Sequence, residues 1–109
     1  MPNIGVAERT TYDQQVRAKF RSVTANATLG VHDRVVFVDS TAGAVTVTLP
    51  DVGEAAGKVF TITAPTAGTN NVVITDGDVS TNWSNITLST NNHKRALYSD
   101  GVSWFVLAT

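Results

Sequence analysis

Residues 42–50 read AGAVTVTLP. Val45, Val47 and Leu49 alternate with Ala44, Thr46 and Thr48, and Pro50 ends the pattern. Successive side chains of a strand point to opposite faces, so the stretch is a strand with an aliphatic face and a threonine face. Proline has no N–H for a sheet ladder and closes it. Nothing in the stretch exchanges a proton near neutral pH. Either the rest of the chain supplies chemistry, or a shell of such strands is itself the function.

The same kind of segment recurs on both sides. Residues 34–39 (RVVFVD) form a nearly continuous apolar run, suited to a strand covered on both faces. Residues 58–64 set Phe60 and Ile62 against Val59, Thr61 and Thr63, and residues 71–75 set Val72 and Ile74 against Val73. A shorter strand fits residues 86–89. Residues 94–99 and 102–107 flank Asp100-Gly101, which predicts a hairpin whose two turn residues both have positive φ. Gly43, Pro50, Gly53, Gly57, Pro65, Gly68, Gly77 and the pairs Asn70-Asn71 and Asn91-Asn92 mark the other turns. The expectation is an all-β fold: a small antiparallel β-sandwich, barrel or β-prism of about seven short strands.

Charge divides the chain. Residues 1–22 carry four basic residues (Arg9, Arg17, Lys19, Arg21) against Glu8 and Asp13. Residues 23–109 carry Arg34, Lys58, Lys94 and Arg95 against Asp33, Asp39, Asp51, Glu54, Asp76, Asp78 and Asp100. A basic, extended N-terminal arm (1–22) therefore precedes a weakly acidic β-structured body (23–109). Within the arm, Val16, Ala18 and Phe20 alternate with Arg17, Lys19 and Arg21. As a strand this segment has one apolar and one basic face. As a helix capped near Thr11 it would align Tyr12, Val16, Phe20 and Val23. The strand template fits all six residues and is preferred. Residues 1–10 show neither period.

Composition narrows the function classes. The 109 residues fit one domain with one real core. A net charge of −1 gives no bulk attraction to nucleic acid. The absence of cysteine removes disulfides, thiolate nucleophiles and cysteine–zinc sites. Residues 1–15 hold no apolar run of signal-peptide length, and no stretch approaches the roughly 20 apolar residues of a membrane helix. The sequons at Asn26, Asn82 and Asn85 are ascribed to chance in an Asn- and Thr-rich chain.

Candidate chemistry is thin. His32 adjoins Asp33, but strand neighbours face opposite ways, and a dyad would need a nucleophile and an orienting group. His32 and His93 read as solvent-facing loop residues. Asp76-Gly77-Asp78 hints at calcium, yet Val79-Ser80-Thr81-Asn82 follows in place of further acids. It reads as a turn. No phosphate-cradling GxxxxGK loop or G-x-S-x-G elbow is present. The expectation is no enzyme, with no catalytic residues, no cofactor and no metal. Among the aromatics, Trp104 alternates with Val102 and Val106 and reads as core or interface. Trp83 sits in a polar loop, where it either folds over a sheet edge or offers a stacking platform to a sugar or partner.

The ordered set DRVVFVDSTAGAVTVTLPD, AAGKVFTITA, GTNNVVIT, ITL and LYSDGVSWFVL resembles small β-structured modules of bacteriophage virion proteins. Those modules occur in tail fibres, head fibres and capsid decoration proteins. The likeness covers about residues 24–109; residues 1–23 lie outside it. It implies a structural protein, usually a homotrimer, with no catalytic residues to carry over. A fibre module normally ends a long shaft. A module with only a short arm fits a decoration or cement protein on the outer capsid surface. The arm, through Val16, Arg17, Lys19, Phe20 and Arg21, would grip neighbouring major capsid subunits. Strands whose second faces are also apolar, such as Val36 and Val38, suit contact between copies. The alternative is a fibre module that binds host-surface carbohydrate or a receptor through Trp83. Neither nucleic acid nor a membrane is an expected partner.

Overall fold

The computed structural model describes residues 20–77 and 83–108. They form nine strands: β1 (Phe20–Val23), β2 (Ala27–Thr28), β3 (Val35–Val38), β4 (Val45–Leu49), β5 (Val59–Ala64), β6 (Val72–Asp76), β7 (Ile86–Leu88), β8 (His93–Ser99) and β9 (Trp104–Ala108). The all-β class matches the sequence expectation. Two sheets face each other. Sheet A has the order β1-β3-β5-β8-β9 and sheet B the order β2-β4-β6-β7.

Pairing direction differs from the expected antiparallel arrangement. The first six strands alternate between the sheets, β1 in A, β2 in B, and so on through β6. Neighbours within each sheet are therefore parallel: β1 with β3, β3 with β5, β2 with β4, and β4 with β6. The chain winds as a two-sheet coil. Parallel neighbours need a long connection, and here the connection is the passage through the opposite sheet. The coil then ends in reversals: β7 pairs antiparallel with β6, β8 with β5, and β9 with β8.

Alternation within the strands builds the core. Val45, Val47 and Leu49 of β4 are buried, as are Val72, Ile74 and Asp76 of β6 and Phe60, Ile62 and Ala64 of β5. Val36 and Val38 of β3 belong to the same core, so they do not form the outer apolar face expected of them; Val35 and Phe37 do. Phe60 and Trp104 meet edge to face at 5.5 Å, a favoured aromatic geometry. Trp104 is thus core, as one of its two sequence readings had it.

Crossovers from A to B are tied together by buried polar groups. Ser40 is fully buried in the crossover after β3. Its hydroxyl donates to the carbonyl of Asn70 at 2.7 Å and lies 3.0 Å from that of Thr66. Asn70 returns a bond from Nδ2 to the Ser40 carbonyl at 2.8 Å. The next loop is close-packed too: a Cβ on Gly68 would stand 2.8 Å from Asn91 Oδ1, which already accepts the Gly68 N–H.

The terminal hairpin departs from its expected turn. Gly101 has φ +96°, but Asp100 is not in the positive region, and the loop runs from 100 to 103. The cause is the Asp100 carboxylate, which accepts the N–H groups of Val102 and Ser103 at 2.8 Å each. That side chain closes the turn without a left-handed residue at Asp100.

Candidate functional site

Among the described residues no cluster of three or more His, Asp or Glu could hold a metal ion. Asp33 is committed to its own loop: its Oδ2 accepts the Gly30 N–H at 2.8 Å and pairs with Arg21 at 2.9 Å. Asp78, part of the calcium consideration, lies outside the described residues. Asn26 uses its carboxamide oxygen to accept the Thr46 N–H at 2.8 Å, and Asn85 accepts the indole N–H of Trp83 at 2.9 Å. Two of the three sequon asparagines therefore hold backbone or side-chain donors; Asn82 lies outside the described residues.

Trp83 packs half-buried against the core cluster. Its N–H is held by Asn85. Of the arm residues, Val16, Arg17 and Lys19 lie outside the described residues. Phe20 and Arg21 form the start of β1, in parallel register with Val35 and Val36. Their side chains take opposite sides, as the alternation anticipated. Arg21 turns toward sheet B and donates to the Thr28 carbonyl at 3.1 Å besides its pair with Asp33. Phe20 points away and stacks against Phe37 at 6.1 Å.

The two outer faces of the sandwich differ in chemistry. On sheet B, the outward positions are Thr28, Thr46, Thr48, Val73, Thr75 and Thr87, adjacent through the registers Thr28↔Thr48↔Thr75 and Thr46↔Val73↔Thr87. Threonine keeps the β-branched shape a strand favours and offers a hydroxyl to water. On sheet A, three outward rows cross the strands. The central row is Phe20↔Val35↔Thr61↔Ala96↔Ala108. Beside it run Ser22↔Phe37↔Thr63↔Lys94 and Val59↔Tyr98↔Phe105. Phe20, Val35, Phe37, Val59 and Phe105 are each 40–48% exposed.

A hollow of about 220 Å³ on this side of the sheet is lined by Thr61, Lys94, Arg95, Ala96 and Ala108. The sequence did carry a signal for the face. Residues 34–39 are apolar on both sides, and only one side fits into the core.

No protein-family model matches the chain, and no curated protein matches it.

Proposed function

We infer that the protein is a non-enzymatic structural component of a bacteriophage virion: a homotrimeric decoration protein on the outer capsid surface. Its N-terminal residues hold neighbouring major capsid subunits. The observation that carries this reading is the body itself. It is a small two-sheet coil whose crossovers are locked by buried hydrogen bonds, and it presents one hydroxyl-rich face and one apolar face. The ordered motifs that resemble virion modules map onto β3 through β9 in sequence. Such a body suits a particle component, which must stay folded outside a cell and pack beside its own copies.

In this reading Arg17, Lys19, Val16 and the exposed Phe20 make the capsid contact. Arg21 contributes by fixing β1 to the body through Asp33. The carbohydrate-binding alternative gains no observation, since Trp83 is packed on the core cluster and tied to Asn85. Binding of the purified protein to undecorated phage capsids tests the proposal. Stoichiometric, saturable attachment is the expected result. No attachment to capsids, with uptake into tails or fibres, would overturn it.

A further inference from the structure

We propose that Asp100-Gly101 is a latent site of backbone isomerisation that the fold holds shut, with Ser99 as the residue that keeps the reacting atoms apart. This goes beyond the virion reading and stands without it. In an Asp-Gly pair the glycine nitrogen can attack the side-chain carboxyl carbon of the aspartate. The nitrogen gives up its proton, a C–N bond forms, a C–O bond breaks and water leaves, closing a cyclic imide. Water then reopens the ring at either carbonyl. One product is aspartate again. The other is isoaspartate, whose backbone runs through the side-chain carbon. Water released in the first step is taken up in the second, and no redox step is involved. Glycine favours the attack because it has no side chain to shield its nitrogen.

The turn cannot avoid this pair. Gly101 has φ +96°, a conformation that residues with a side chain rarely adopt. A Cβ there would also stand 3.3 Å from the Ala56 Cβ. Asp100 closes the loop through its carboxylate, and asparagine, the nearest substitute, forms the same ring with ammonia as the leaving group. Asp100 is exposed, whereas the aspartate of the other Asp-Gly pair, Asp76, is buried in β6. Burial in a strand does not protect Asp100, so the loop must.

Its hydrogen bonds do so from both sides of the reaction. The Gly101 N–H donates to the Ser99 hydroxyl at 3.1 Å. Ser99 is fully buried, and its hydroxyl donates its own proton to the Val52 carbonyl at 2.6 Å. The oxygen facing Gly101 is therefore an acceptor, which stabilises the protonated amide against the anion that must form for attack. Ser99 is anchored in turn: its carbonyl accepts the Gly57 N–H at 2.7 Å. On the electrophile side, one Asp100 carboxylate oxygen accepts the N–H groups of Val102 and Ser103 at 2.8 Å each. This turns the carboxyl group past Gly101 to the amides beyond it. The same bonds favour the ionised carboxylate, the poorer electrophile. Isomerisation would insert a methylene into the backbone between β8 and β9 and undo the turn before Trp104, which packs on Phe60. In the virion reading this matters most, because a particle outside a cell cannot replace an aged subunit.

Ageing the full chain in neutral buffer, beside a synthetic peptide of residues 96–109, tests the proposal. Trypsin cleavage after Arg95 releases residues 96–109, in which Asp100 is the only aspartate. Chromatography of that peptide separates the aspartyl from the isoaspartyl form. The folded wild type should accumulate isoaspartate at least about tenfold more slowly than the free peptide, and Ser99→Ala should raise the folded rate about tenfold, the rate equivalent of one lost hydrogen bond. Ser40→Ala also removes a buried hydroxyl, but far from this loop. It should age as the wild type does, which separates local protection from general loosening. Circular dichroism checks that each variant is folded. A wild type that ages as fast as the peptide overturns the proposal, and that comparison needs no variant to fold. An unchanged rate in folded Ser99→Ala, or equal acceleration in Ser40→Ala, overturns the role of Ser99.

Discussion

Ser40 shows how one residue can hold two turns of the coil together. Its hydroxyl is buried among the carbonyls of Thr66 and Asn70 and the hydroxyl of Thr66. Ser40→Ala removes the donor and leaves those acceptors without it, a loss of about 1–3 kcal/mol. A lower urea midpoint with unchanged slope would show it, and an unchanged midpoint would mean water takes over the site. Two exposed aspartates beside loops of the same design give an acid dependence. Asp39 is held below the ordinary carboxylate range by the Thr41 hydroxyl first and the Thr41 N–H second. Asp100 is lowered by the N–H of Ser103 and then that of Val102. A carboxylate with a depressed folded pKa contributes stability above its unfolded value, and that contribution is lost as pH falls through the folded one. Melting temperature should therefore decline below about pH 4, and Asp39→Asn with Asp100→Asn should flatten that decline. A wild-type melting temperature indifferent to pH in this range would refute the assignment. The hairpin also shows where sequence reading stopped. Gly101 was legible as a left-handed position, because it follows aspartate between two strand-forming runs. The turn type was not, because it depends on where the Asp100 carboxylate points, and Gly101→Val should still cost roughly 1–3 kcal/mol at φ +96°.

At the level of the strand, alternation tells which side chains share a face but not which way the neighbouring strand runs. The core positions of β4, β5 and β6 could be read from the sequence for that reason. The parallel coil could not, because direction is set by whether each connection returns in the same sheet or crosses to the other. A weak trace of the coil exists in the crossovers. Thr24-Ala25-Asn26, Thr41-Ala42-Gly43 and Thr66-Ala67-Gly68 occupy the A-to-B passages after β1, β3 and β5. Small residues there let successive crossovers stack, but their uneven spacing hides the repeat. Inner and outer threonine positions should behave oppositely in β4. Val47 is fully buried between β2 and β6. Val47→Thr keeps the shape and buries a hydroxyl with no partner, at about 1–3 kcal/mol. Thr48→Val on the outward side should stay within about 0.5 kcal/mol. Equal losses at both positions, measured by denaturant unfolding, would contradict the assigned faces.

For the whole molecule, the boundary between arm and body decides how the protein could be cut. The sequence placed it after residue 22, where charge and motif likeness change. Strand β1, however, begins at Phe20 and continues to the buried Val23, and the Val23 carbonyl accepts the Asp39 N–H at 2.9 Å. Charge patterning could not reveal this, because Arg21 looks like an arm residue until Asp33 is seen beside it. Deleting residues 1–19 should leave cooperative unfolding intact. Deleting residues 1–23 strips the edge of sheet A and uncovers Val36 and Val38, and loss of the Val23 side chain alone costs about 1.5–3 kcal/mol. The shorter deletion is also the cleaner test of the capsid anchor, because it removes Arg9, Val16, Arg17 and Lys19 while the body keeps its fold and its apolar face. If the N-terminal residues make the capsid contact, that variant assembles as the wild type does and binds capsids more weakly, with Phe20 alone of the contact residues retained. Exposed ion pairs contribute about 0–1 kcal/mol each, so Lys19→Ala should weaken attachment only slightly and added salt only modestly. Phe20→Ala should weaken it more, because burying a large apolar side chain is worth about 1.5–3 kcal/mol. Arg21→Ala separates anchoring from folding, since its pair with Asp33 lies within the body: it should lower the melting temperature more than it lowers capsid affinity. Full capsid binding by the protein lacking residues 1–19 would move the anchor onto the body, with the threonine face of sheet B the next surface to mutate.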